Sequence, residues 1–419
     1  MFVHMLNDRK TWQRGAVPPP AAWTPANLTG VLAWHEAKDL ATITAASSLI
    51  SAWNDKSGNN NHLTEATNKP NYSSSAQLGG VNVIDCGPVG NPPVSSGRKM
   101  SWTSAITTAK AIFAVVGTGT NASLEGGGFL FGSTGSTYPF HRGGTSHQEG
   151  YLVADPLVNV LYGDADWRDT AARRNGTTVN PSIQGFTGQS TWNIIGLKTA
   201  GSAAGSFDSI NFDRGTSRGG ADWAEIIVLN AVPSDNDIKR IEGYLKNRWA
   251  TVTLPEIHPY ASAPPHVGDT PVDNVLTSHR WWRMVNFTVM TRGENYSGMS
   301  ELEVYETIGG ANAISSATLS TSVALRDGAL SDLTNGNLSA DRAQWDGQSF
   351  DVIMDFGSGQ SKILNQVGIA PNKDAVGRSP QWFVMQYSDD GTNFHDSWLG
   401  IVPSAYTLGT IKKVSPASI

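Results

Sequence analysis

LAWHEAKDLATITAASSLISAWNDKSGNNNHLTEATNKP, residues 32–70, holds two short apolar runs, each marked by a tryptophan, Trp34 and Trp53. The connection WNDKSGNNN at 53–61 that follows is rich in Asn and Gly, the residues that supply the positive φ angles of tight turns. Short apolar runs bounded by such clusters read as strands. The whole chain has this texture. It has 419 residues, enough for roughly two or three domains. Only 16% of them are charged, against about 25% in an average soluble protein, and 44 glycines with abundant Ser, Thr and Asn replace the missing charge. An all-β fold follows as the expectation.

The net charge of −6 excludes a broad electrostatic footprint for nucleic acid. Cys86 is the sole cysteine, so neither an intrachain disulfide nor a thiolate metal cluster can form, and its apolar setting in VNVIDCG predicts a buried, inert thiol. No run reaches the roughly 18 apolar residues that span a bilayer, so no membrane insertion is expected. The apolar start of MFVHMLNDRKTW breaks at Asn7, too early for a signal-peptide core.

Working outward, AIFAVVGT at 111–118, GGGFLFGST at 126–134 and TWNIIGLKTA at 191–200 read as strands, and Asn175-Gly176 as a two-residue hairpin turn. SDNDIKRIEGYLKNRWA is the one clear helix: Ser234 caps it, Asp235 and Asp237 sit at its positive end, and Ile238, Ile241, Leu245 and Trp249 form an apolar stripe. Residues 253–275 are proline-rich and predict a semi-stiff linker. Beyond it, RWWRMVNFTVM and SGMSELEVYE alternate as half-buried strands do. Residues 1–26 read as an extended arm whose Trp12 and Trp23 either anchor it to a neighbouring subunit or particle, or pack back on the domain that follows.

Residues 32–70 together with AEIIVLNAVPSDNDIKRIEGYLKNRW at 224–249 resemble the opening and closing signatures of concanavalin A-like (laminin G-like) sandwiches that recur in bacteriophage structural proteins. LTNGNLSADRAQW at 333–345, the strand ending in Asp355-Phe356-Gly357, the strand around VGI at 367–369 and MQYSDDGTNF at 385–394 resemble the discoidin (coagulation-factor type C, galactose-binding-like) family, with SELEVYE displaced to the front as in a circular permutation. These resemblances imply four segments: an arm at 1–26, a concanavalin A-like jelly-roll sandwich at 27–252, a linker at 253–275 and a galactose-binding-like β-sandwich at 276–419. They imply a virion protein assembled in the host cytoplasm and exposed on the particle, held to other virion proteins by its arm, possessing a homo-oligomeric (trimeric) state and binding host surface glycans. A decoration or cementing protein is the alternative. A calcium loop of the second family carries over to Asp332 and Asn335.

Catalytic patterns are poorly represented. There is no G-x-S-x-G elbow, no H-E-x-x-H and no laminarinase-like E-x-D-x-x-E, and Asp164 with Asp166 is the nearest carboxylate pair for a polysaccharide depolymerase. The expectation is therefore a binding protein and not an enzyme. Sugar recognition wants flat aromatic faces beside hydrogen-bonding side chains. His141, Arg142, His147 and Glu149, with Asp164, Trp167 and Arg168, make up the candidate loop face.

Overall fold

The strand Ala111–Gly117 carries no charged residue and is buried along its whole length, as befits a strand covered on both faces. It pairs antiparallel with Trp192–Lys198 on one side and Asp222–Leu229 on the other. Asp222–Leu229 pairs in turn with Val31–Glu36, so the opening and closing signatures of the sequence lie side by side. The structure, a computed structural model, describes residues 20–86, 98–117, 131–132, 172–179, 192–199, 204–213, 217–218, 221–249, 252–274, 276–289, 296–347, 349–402 and 406–416.

The same antiparallel sheet runs on through Val81–Asp85, Asn71–Ser75, Leu49–Trp53, Leu63–Thr64, Met100–Ala109 and Gly205–Ile210. It folds over on itself. His35, on the strand paired with Asp222–Leu229, packs on Trp53 and Trp102 from strands further along the path, with ring centroids 5.2 and 6.2 Å apart, and a single apolar core fills the space between the layers. Cys86 lies in that core, and burial pushes its thiol pKa well up. The connection after Trp53 is a turn network centred on Asp55, whose carboxylate accepts from the backbone N–H groups of Trp34, Ser57 and Asn61. The hairpin Ala172–Arg174 to Thr177–Val179 turns at Asn175 and Gly176, with φ of 49° and 78°, the left-handed pair that a two-residue turn demands.

The helix, Asp235–Arg248, begins where Ser234 Oγ accepts from Asp237 N–H. Ile238, Ile241, Leu245 and Trp249 are all buried, as the stripe predicts. Its end is tied to the sheet through Glu225, which takes the indole N–H of Trp34 on one oxygen (2.8 Å) and that of Trp249 on the other (2.7 Å).

The proline-rich segment is no free spacer. Leu254, His258 and Tyr260 are buried, and Tyr260 lies where a Cβ on Gly243 would meet it at 2.4 Å. The apolar and aromatic side chains scattered among its prolines give it enough surface to dock, although they follow no period. Trp23 takes the second of its two readings and packs back on the domain that follows. Its ring packs edge-on against Tyr244 with centroids 6.1 Å apart, while the Trp23 backbone N–H donates to the Pro265 carbonyl. Burying the indole on a helix already present removes it from water without a partner subunit. Trp12 lies outside the described residues.

A second core, from Leu276 to Val414, lies between two five-stranded antiparallel sheets. One runs Thr318–Ser320, Phe350–Asp355, Trp281–Val289, Pro380–Ser388 and His395–Ile401; the other runs Leu325–Gly328, Ala343–Asp346, Tyr296–Tyr305, Gln366–Pro371 and Lys412–Val414. Tyr296–Tyr305 departs from the expected half-burial. Ser297, Ser300 and Glu301 are buried with its apolar residues, because the turns Ile314–Ser316, Leu330–Thr334 and Val376–Arg378 pack against this strand.

Candidate functional site

Where the linker crosses from the first core to the second, it leaves a cleft of about 640 Å³. One wall is the end of the helix and the linker, with Lys246, Val252, Leu254, Glu256 and Asn274; the other is the second sandwich, with Tyr387, His395 and Asp396. Tyr387 and His395 are cross-strand partners on either side of the Ser388–Phe394 turn. Side chains directly opposite each other in an antiparallel pair are neighbours, and their ring centroids are 5.5 Å apart.

The linker wall is held from behind. Asn274 Nδ2 donates to the carbonyls of Glu256 (2.9 Å) and His258 (2.7 Å), which fixes the turn that carries Glu256. The Glu256 N–H donates to the Asp396 carbonyl at 3.2 Å and joins the two walls directly. His258 is anchored in turn by a fully buried network, with its Nε2 3.3 Å from Glu242 Oε2. Arg173 grips the same carboxylate with Nε at 2.6 Å and Nη2 at 2.8 Å. This network holds the Glu242 carboxyl at a pKa of about 2 although burial alone pushes it up, because Arg173 and His258 together outweigh that desolvation.

Behind Tyr387 stands His279, stacked on it with centroids 3.8 Å apart and planes 22° from parallel. His279 Nδ1 is 3.0 Å from Asp389 Oδ1, and Nε2 is 2.8 Å from Thr277 Oγ1. The Thr277 hydroxyl also bonds to Glu256 Oε1. A polar chain thus runs from Asp389 through His279 and Thr277 to Glu256 and backs the tyrosine. Desolvation raises the Tyr387 pKa, and Glu256 and Asp389 add to it. On the other side of the turn, Asp396 Oδ1 accepts from Gln386 Nε2 at 2.6 Å, and Gln386 Oε1 accepts from Arg283 Nε at 2.8 Å. The cleft therefore combines one aromatic ring, set in a fixed orientation, with carboxylate, imidazole, amide, hydroxyl and ammonium groups.

None of these residues is among the expected sugar contacts. His141, Arg142, His147, Glu149, Asp164, Trp167 and Arg168 all lie outside the described residues, as does Asp166. Asp332 and Asn335 are described, and each is engaged within the turns that carry it. Asp332 Oδ2 accepts from the Ala329 N–H in its own turn. Asn335 aims its amide N–H at Asp341, and its oxygen accepts from the Asn337 N–H. Among the described residues no group of three His, Cys, Asp or Glu side chains is arranged to hold a metal. In the sequence, only the aromatic-flanked turn in MQYSDDGTNFH hinted at the cleft; Glu256 and His279 stand in or beside a segment that reads as a spacer.

The described chain is an all-β protein of antiparallel sandwich layers with one closing helix. No family model matches it, and no curated protein matches it. Two solved structures are similar in part: an arabinofuranosidase in complex with arabinofuranosyl-α-1,2-xylobiose, at 15% identity, and a GH54 α-L-arabinofuranosidase soaked with a cyclic sulfate inhibitor, at 17% identity. In each case the TM-score is 0.28, and the match covers 61% of this chain and 59% of the other, so the chain spans about three-fifths of those proteins' length. Both are enzymes, and this finding corrects the expectation of a non-enzymatic chain. A likeness of this size assigns no catalytic residue and no substrate here.

Proposed function

We propose that the protein interacts with carbohydrate and that the cleft between its two sandwiches is where it does so. The observation that carries this reading is Tyr387: a tyrosine fixed by the His279 stack, on the same wall of a concave site as His395 and Asp396 and across from Asn274 and Lys246. An aromatic ring covers the C–H face of a sugar, and polar side chains of both hydrogen-bonding senses meet its hydroxyls.

The test is binding of the purified full-length protein to a glycan array, with each spot also assayed for released reducing ends, beside the Tyr387→Ala variant. The variant is expected to lose about tenfold in affinity, as removal of roughly 1.4 kcal/mol of ring contact predicts, while keeping the circular dichroism spectrum of the folded parent. Equal binding by the variant, or silence across the array, rejects the site. The particle-surface setting is supported by the sequence resemblances at 32–70 and 224–249, and labelling of intact phage particles with antibody to the protein tests it; unlabelled particles would reject it.

A further inference from the structure

We infer that the cleft selects its sugars by charge, favouring amino sugars and neutral sugars over those that carry a carboxylate. This rests on the carbohydrate reading above and names the ligand class within it. Among the described lining residues Glu256 and Asp396 are acidic and Lys246 is the one basic residue apart from His395. A third carboxylate, Asp389, lies just behind the tyrosine, 3.0 Å from His279 Nδ1. Arg283 is linked to Asp396 through Gln386 and also feels its charge across space, but it is shared with Asp351, whose Oδ2 is 3.9 Å from its Nη1. His279 is already engaged by Asp389 and Thr277, and its Nε2 also lies 3.5 Å from Glu256 Oε2. Around the Tyr387 ring the fixed charge is thus predominantly negative, inside a concave site whose low-dielectric walls concentrate the field. An incoming carboxylate meets repulsion there, and an ammonium group meets attraction.

The experiment measures equilibrium binding of three β-1,4-linked trisaccharides of equal length, built from glucosamine, N-acetylglucosamine and glucuronic acid, at low and at high salt. The glucuronic acid trimer is expected to bind about tenfold more weakly than the neutral one, a difference of about 1.4 kcal/mol, and the glucosamine trimer at least as tightly as the neutral one. The spread should narrow at high salt, where the Debye length falls to about 3 Å at 1 M. Asp396→Asn should shift the ratio toward the acidic trimer. Acidic and neutral trimers binding equally, or a preference indifferent to both salt and Asp396→Asn, overturns the charge selection and leaves the carbohydrate reading standing. If no trimer binds and Tyr387→Ala matches the parent on the array, both fall together.

Discussion

Glu242 is the joint on which the linker wall depends, and Glu242→Gln tests that role. The substitution keeps the volume and removes the charge. It leaves the Arg173 guanidinium buried, with Nε and Nη2, now 2.6 and 2.8 Å from the two carboxylate oxygens, facing an amide that has only one oxygen to offer. Two routes give the cost. Breaking a buried pair by removing one partner costs about 3–5 kcal/mol. Independently, the fall of the Glu242 pKa from its ordinary 4.5 to about 2 is worth roughly 3 kcal/mol, at about 1.4 kcal/mol for each tenfold change in proton affinity. The group is fully buried, so solvent screening takes little away.

The assay is urea unfolding of parent and variant followed by tryptophan fluorescence, repeated down to pH 2. Because the folded pKa is depressed, this stabilisation is fully present above about pH 4.5 and is lost as pH falls toward about 2. The variant should therefore be less stable than the parent by about 3 kcal/mol at pH 7, with a shallower decline in acid. The double variant Arg173→Met with Glu242→Leu should recover part of the loss, since an apolar pair of similar volume avoids the desolvation, while His258 Nε2 and the Gly176 carbonyl lose a partner. A loss under about 1 kcal/mol at pH 7, or a double variant no better than the single one, would refute the reasoning.

Glu225 predicts the opposite pH behaviour. Burial, then the adjacent Glu36, raises its pKa from 4.5 to about 7, so its contribution is full below about pH 4.5 and disappears as pH rises through about 7; a stability profile over that range should fall in the parent, and a Glu225→Gln profile just as steep would contradict the assignment. Gly243→Ala, a change that in an exposed helix interior stabilises by about 1 kcal/mol, should destabilise here, because the new Cβ would lie 2.4 Å from Tyr260 Cβ. A raised melting temperature for this variant would mean that the linker does not dock on the helix as described.

The sequence by itself determined the local structure of this chain. The helix was legible in Ser234 and the stripe from Ile238 to Trp249, the hairpin in Asn175-Gly176, and the central strand in the uninterrupted apolar run Ala111–Gly117, because backbone preference, capping and periodic burial are local properties of successive residues. Tertiary structure decided the rest. Trp23 reads equally well as an anchor or a core residue until Tyr244, more than 200 positions away, is seen beside it. The segment at 253–275 reads as a spacer because the apolar groups that dock it have no period, and the notch they fill is made by Gly243 on another element. The cleft has the same origin: Glu256, His279, Tyr387 and Asp396 come from distant positions and different elements, and only the packing of two cores across one linker brings their side chains together.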